Sequence, residues 1–526
     1  MSRRFLWSLA AALALAGCER PPAVRSLPER LVIALESAPT HLDPRVALDQ
    51  AADRLFDLSM CGLLIKTPDG ELEPDAAASW EILEGGRRYR FHLRTDVRFH
   101  DGRILGPEDV IDTLTSLVDG RVVTAKRGAF AELERVESPA PGVVDLVLSR
   151  PSGAFAIELT PALGILPRGT TPAQTNDHPV GCGSYRIVER SPERLLLEAF
   201  DGGHRPAPKI RRVELKVVPD ATVRALELLK GTVHLVINDL PPDLVPRFQA
   251  DPRFRVAADP GGNYAYLGLN LEDPALSDLR VRRALALAID RDRLVATLWR
   301  GLGVVTETMM PPGSWARHEG LPRVPYDPEA AARLLEAAGY PDPDGPGPRP
   351  RLTLTFKTST SEINVLQAQV IQQMAAPAGF ALVVRSHEFA TFYSDISRGN
   401  FQLFSLVRTA IHDPNIYRLI LHSDSIPPRG QNRGRYRNPE LDRRIDLGAS
   451  LPERAARRPL YLEVQEILAH DLPYVSLFTK HNFAVMDARL SGFRNYPAGE
   501  LLGVRFLSWE KGAEQVSFSQ PSTISR

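Results

Sequence analysis

LTLTF at 352–356, EINVLQAQVIQQM at 362–374, ALVV at 381–384, ATFYSDIS at 390–397 and FQLFSLV at 401–407 follow one another in the last third of the chain. The first, third and fifth pieces are short, apolar and rich in β-branched residues, as buried strands are. The second and fourth are longer and polar on one side, as helices packed on a sheet are. Strands alternating with helices predict an α/β unit around a largely parallel sheet.

The same punctuation extends outward from this stretch. Asp327 and Pro328 open a helix that closes at Gly339, with Ala331, Leu334 and Leu335 on its apolar face. PDPDGPGPRP at 341–350 then reads as a loop. Asp278 and Asp290 are N-caps of two earlier helices, the second ending at Gly301, and 221–230 is a further helix. Toward the N-terminus, 31–35 is a strand. Tyr89, Phe91 and Leu93 alternate with Arg90, His92 and Arg94, the period of a half-buried strand, which Val97 and Phe99 continue to the turn at Asp101-Gly102. A helix starts at Pro107 behind Gly106, and strands recur at 143–148, 185–188, 195–197 and 213–218. No repeat of 20–50 residues interrupts this order.

The chain has 526 residues, more than one hydrophobic core usually serves, so two or more lobes are expected. Lys plus Arg and Asp plus Glu are each 64, which speaks against a nucleic-acid partner. The opening, MSRRFLWSLAAALALAGC, has two arginines, an apolar run too short to span a bilayer, and small residues before Cys18. It resembles a bacterial lipoprotein signal: 1–17 is the expected signal peptide, Cys18 the lipidated residue, and Pro-rich 18–28 a tether. The remaining cysteines, Cys61 and Cys182, form either a disulfide or two free thiols.

Several segments in order resemble one family: VRFHDG at 97–102 with Glu108-Asp109-Val110; PVGCGSY at 179–185; Gly268-Leu269-Asn270, Val281-Arg282-Arg283-Ala284 and Ala288-Ile289-Asp290-Arg291; Tyr436-Arg437-Asn438-Pro439; and Asp471-Leu472-Pro473-Tyr474. They are similar to family 5 of the bacterial extracellular solute-binding proteins, which serve oligopeptide, dipeptide and nickel importers. The resemblance implies an α/β, two-lobed periplasmic binding protein fold (type II, large peptide-binding cluster) with an extra N-terminal subdomain. Residues 29–60, 180–262 and 476–526 would form lobe I, 61–179 the subdomain packed on it, and 263–475 lobe II. It also implies a non-enzymatic, monomeric protein without cofactor or metal. Such a protein captures a peptide or peptide-like solute and delivers it to an ABC transporter permease in the cytoplasmic membrane. A nickel, metallophore or other small-solute carrier is the alternative, and a secreted hydrolase on the same scaffold is a more remote one.

FSLVRTAIHDPNIY at 404–417 is the stretch on which ligand chemistry turns. Peptide-binding members resemble GWTGDxxDP here, with an aspartate three residues before the Asp-Pro pair holding the ligand's ammonium. Asp413-Pro414 matches the pair, but the ammonium position is Ala410. The loop that carries a carboxylate-binding arginine in dipeptide binders reads Lys357-Thr358-Ser359-Thr360-Ser361, with no arginine; Lys357 would act only as a point charge. A longer, blocked or modified peptide, or another small solute, is therefore expected. Candidate contacts are Glu36 and Ser37 after the first strand, Lys357 and Ser359, and Arg408, Thr409, His412 and Asp413. Arg408 has the geometry to grip a carboxylate bidentately. His100 and Asp101 are expected to be structural, Asn270 to fix backbone, and Arg282 and Arg283 to lie at the surface or in ion pairs. No H-E-x-x-H or G-x-S-x-G motif occurs.

Overall fold

A computed structural model describes residues 27–510 apart from 346 and 410. The expected signal peptide, Cys18 and nearly all of the tether lie outside the described residues, as does Ala410.

LVIAL at Leu31–Leu35 (β1) is buried at all five positions, and its alternation divides two cores. Leu31, Ile33 and Leu35 face one, with Leu215 and Met486. Val32 and Ala34 face the other, with Val236, Phe248 and Val485. A strand covered on both faces is what an unbroken apolar run encodes. Beside it lie β2 (Tyr185–Arg190), β3 (Arg194–Ala199), β4 (Arg212–Val217) and β5 (Leu235–Ile237).

Two long strands then cross the molecule, β6 (Phe254–Leu269) and, much later, β11 (Tyr474–Asp487), with β7 (Gly303–Val305) at the margin of β11. Between them the chain lays down β8 (Leu352–Ser359), β9 (Phe380–His387) and β10 (Leu403–Arg408), with the helices Glu362–Ala375 and Phe389–Arg398 as connections. The sequence places these five elements in the right order; the first four run on by up to three residues at an end, while the last strand begins at Leu403, two residues later than read, and ends at Arg408. The order across the sheet is β9-β8-β10-β6-β11-β5-β1-β4-β3-β2, with β7 off this path on β11. One sheet is thus shared by two groups of cores. Leu267, Phe356, Leu403 and Leu477 cover one face of its β8–β10 end and Tyr264, Tyr266 and Phe404 the other.

The β6–β11 ladder slips between Pro260 and Asn263. Gly261 is required there because a Cβ would lie 2.8 Å from the Asn482 side chain. Gly262 donates to Pro497 O (2.8 Å) and accepts from Ile411 N (3.0 Å), so the bulge holds one loop from each end of the sheet.

Residues 61–182 build a separate core beneath a four-stranded antiparallel sheet ordered Ala77–Leu83, Arg88–Leu93, Val143–Leu148, Leu133–Glu137. Tyr89, Phe91 and Leu93 enter this core, while Arg88 and Arg90 both pair with Asp145 on the other face. The strand stops at Leu93, however. Val97 and Phe99 belong to a following turn tied by an Arg98–Ile104 bridge, because an Asp96 carboxylate bound by Arg94 interrupts the alternation. The turn docks on PVGCGSY: His100 N donates to Gly181 O (2.8 Å), His100 Nε2 lies 3.1 Å from Gly183 O, and Gly183 N donates to Ser59 O (3.0 Å). Both motifs are structural contacts.

Asn270 fixes backbone as expected, donating to Gly399 O (3.3 Å) and Phe401 O (3.0 Å). Arg282 departs from expectation. It is 7% exposed and donates to the carbonyls of Leu276, Ser277, Asp471 and Leu472. It therefore closes the C-terminal end of helix Arg454–Asp471, a role two adjacent arginines in sequence do not announce.

The two thiol states left open by the sequence are resolved as a disulfide between Cys61 and Cys182, with Cα atoms 5.2 Å apart. It joins the two ends of the 61–182 core across a separation of 121 residues. Replacing both cysteines by serine should cost about 2–5 kcal/mol of stability. Chemical denaturation under non-reducing conditions reads this; an unchanged midpoint would make the bond dispensable.

Candidate functional site

α1 (Gln50–Ser59) starts at Asp49, whose carboxylate accepts from Ala52 N (2.9 Å). The cap turns Asp53 of the first helical turn toward a cavity of about 510 Å³. That volume is within the range of about 300–1,000 Å³ typical of small-molecule sites. Its walls come from three parts of the chain. α1 and the residues before it give Asp53 and Leu48; the 61–182 unit gives Lys66, Lys126 and Glu158; and the segment 411–419 after β10 gives Ile411, His412 and Asp413.

The charges on these walls are unevenly satisfied. Lys126 Nζ donates to the carbonyls of Pro44 (2.7 Å) and Ala162 (2.9 Å). Lys66 Nζ lies 3.4 Å from Glu500 Oε1 and 3.4 Å from His412 Nε2, which accepts from it. Burial, reinforced by Lys66, pushes His412 down to about 4, so its imidazole is neutral at pH 7. Among the described residues nothing donates to the carboxylates of Asp53 or Glu158. Burial raises both above the usual range, and Lys126 and Lys66 oppose this only in part. Glu158 is exposed into the cavity it lines.

Asp413 is occupied. Its two oxygens receive Arg457 NH1 (3.0 Å) and NH2 (2.6 Å), and Oδ1 also accepts from Asn415 N (2.8 Å). Arg457 is 1% exposed and further donates to Gly448 O (3.1 Å) and Gly153 O (3.2 Å). Gly153 N in turn donates to Ala449 O (3.0 Å), and Arg454 pairs with Glu71. The 61–182 unit is thereby tied across the cavity to the half of the molecule holding β8–β10.

His412 and Asp413 are the sequence-expected residues on this cavity. Glu36 and Ser37 are exposed at the end of β1, and Thr409 is exposed beyond β10. Lys357 is paired with Asp395 (2.6 Å), and Ser359 accepts from Asn364 (2.8 Å). Arg408 ends β10 and donates to Gln431. None of these six lines the cavity. Asp53, Lys66, Lys126 and Glu158 were not legible in advance: they sit in segments of ordinary helical or turn composition, and only the fold brings them together.

A family model described as bacterial extracellular solute-binding proteins, family 5 Middle, matches residues 71–426. The chain is 24% identical over 532 residues to heme-binding protein A of Haemophilus influenzae, covering 93% of this chain and 96% of that protein. It is 23% identical over 500 residues to the dipeptide-binding protein of Escherichia coli, covering 89% and 93%. Among solved structures, NikA from Brucella suis in complex with Fe(III)-EDTA matches with a TM-score of 0.83 and 22% identity, over 91% of this chain and 99% of that one. AppA from Bacillus subtilis in complex with a nonapeptide matches with a TM-score of 0.75 and 23% identity, over 91% and 98%. At these identities the structures speak to fold, the two-lobed α/β fold of type II periplasmic binding proteins. With the model spanning more than half of its length, the chain belongs to the bacterial extracellular solute-binding proteins of family 5.

Proposed function

We propose that this protein is the solute-capturing lipoprotein of an ABC importer, anchored outside the cytoplasmic membrane through Cys18. It takes up a peptide or peptide-like solute and hands it to a permease without chemical change. The dipeptide- and oligopeptide-binding relatives support the solute class. The observation that carries the reading is the cavity itself: it is roomy, its walls come from both ends of the shared sheet, and contacts bridge its mouth. We take 263–475 as one lobe, 29–60 with 180–262 and 476–526 as the other, and 61–179 as a subdomain on the latter. The β6–β11 bulge is then the hinge.

A ligand touching both lobes only when they are close shifts the population toward the closed form. Moving such an equilibrium from 1:99 to 99:1 takes about 5.5 kcal/mol of differential affinity. Asp53 and Glu158 are suited to part of this. As acceptors without donors among the described residues, they favour a solute that brings an ammonium group.

Incubation with a random tetrapeptide library followed by native mass spectrometry tests the reading. Bound peptides should be recovered intact, and N-acetylated members should be retained about tenfold less, the loss of one charge-assisted hydrogen bond. Asp53→Asn combined with Glu158→Gln should erase that preference. Failure to retain any peptide, or recovery of shortened ones, contradicts it.

His412 gives a pH test. Its folded pKa of about 4 lies below the ordinary 6.5, so the unfolded chain takes up the proton first and stability falls as pH falls through that window. His412→Gln should retain about 3 kcal/mol that the wild type loses between pH 6.5 and 4. Parallel pH–stability curves for the two proteins would show that the imidazole is not held neutral.

A further inference from the structure

Arg408 and Arg433 are two neighbouring arginines with no counter-ion among the described residues. Arg433 is 3% exposed, its Cζ lies 4.5 Å above the Tyr393 ring, and its Nε has no hydrogen-bond partner. Arg408 is half-buried at the carboxyl end of β10, and the one side chain it bonds is Gln431, two residues before Arg433. Arg433 N donates back to Gln431 O (2.8 Å), so this turn holds the two arginines on one site. The charged and titratable groups that act most strongly on Arg408 are Tyr266, Arg433, Tyr393 and Tyr474. Among the described residues neither arginine forms an ion pair. Other buried arginines here are paired with a carboxylate, as Arg45 is with Asp43, Arg291 with Glu307 and Arg457 with Asp413, or donate to several backbone carbonyls, as Arg224 and Arg282 do.

Two desolvated like charges are costly unless an anion joins them. Planar forks beside one another suit an oxyanion that can accept from both. The place fits a ligand as well. β10 runs parallel to β8, and ligands of open α/β sheets bind outside the carboxyl ends of strands. Three residues beyond Arg408, Ile411 begins the cavity wall.

We propose that Arg408 and Arg433 form an anion-binding subsite of the second lobe, which takes a carboxylate or phosphate group of the captured solute. It rests on reading the neighbouring crevice as the solute site, and it adds that the solute carries an anionic group there.

The test uses the full mature chain and three probes: the tetrapeptide library as free acids, the same library as C-terminal amides, and inorganic phosphate or citrate alone. Wild type should retain free acids at least tenfold better than amides. Arg408→Gln, and separately Arg433→Gln, should bring that ratio close to one. In ligand-free protein, Arg433→Met should melt no lower than wild type, since a repulsive pair is relieved; a structural arginine would lower it. Equal retention of acids and amides by the wild type overturns the subsite while leaving the peptide reading in place. So does an acid preference that survives both substitutions. If no peptide is retained but phosphate or citrate raises the melting temperature in an Arg408- and Arg433-dependent way, the peptide reading fails and the subsite stands. If no probe binds, both fall.

Discussion

The pairing of β6 with β11 is the constraint on which the rest of the structure depends. These strands run antiparallel from Phe254 opposite Asp487 to Gly268 opposite Tyr474, and they pass from one set of cores into the other. A hydrogen-bonded ladder resists stretching but twists and bends easily where it bulges. The slip at Pro260–Asn263 concentrates that freedom at one level of the sheet. Loops carrying Ile411 and Pro497 are bonded to Gly262 at that level, so bending there changes the width of the crevice they border.

The contacts that bridge the crevice are few and of modest strength. Lys66 to His412, Gly153 to Ala449 and Arg454 to Glu71 include half-exposed groups, and such interactions contribute about 0–1.5 kcal/mol each. Arg457, buried and fixed within its own lobe by Asp413 and Gly448, adds one bond across, to Gly153 O (3.2 Å). On the functions proposed above, a solute would supply the difference in favour of closure at Asp53 and Glu158 and at Arg408 with Arg433, which calls for a guest with a cationic and an anionic part.

Much of the fold was legible in the sequence. Caps at Asp278, Asp290 and Asp327 accept the helix amides they were expected to accept, and the five-element run from Leu352 is where its periodicity puts it. The shared sheet was not legible, because β6 contains Pro260-Gly261-Gly262, which reads locally as a break. Partners more than 200 residues away in β11 hold it extended. Ligand chemistry was least legible. Lys357 looks available in sequence and is neutralised by Asp395; Asp413 looks available and is held by Arg457. Arg433 is an ordinary loop residue in sequence until burial with its Nε unbonded makes it distinctive.

Clamping of a guest by two lobes is the central claim, and an intramolecular distance measures it directly. Val123 in the subdomain is 92% exposed and Leu447 in the opposite lobe is 51% exposed. Spin labels at Val123→Cys and Leu447→Cys, with Cys61 and Cys182 consumed by their disulfide, report that distance by double electron–electron resonance. Ligand-free protein should show a broad distribution extending to long distances, which narrows to a single short distance when a peptide retained from the tetrapeptide library is added. One narrow distance, identical with and without solute, would contradict a closing crevice.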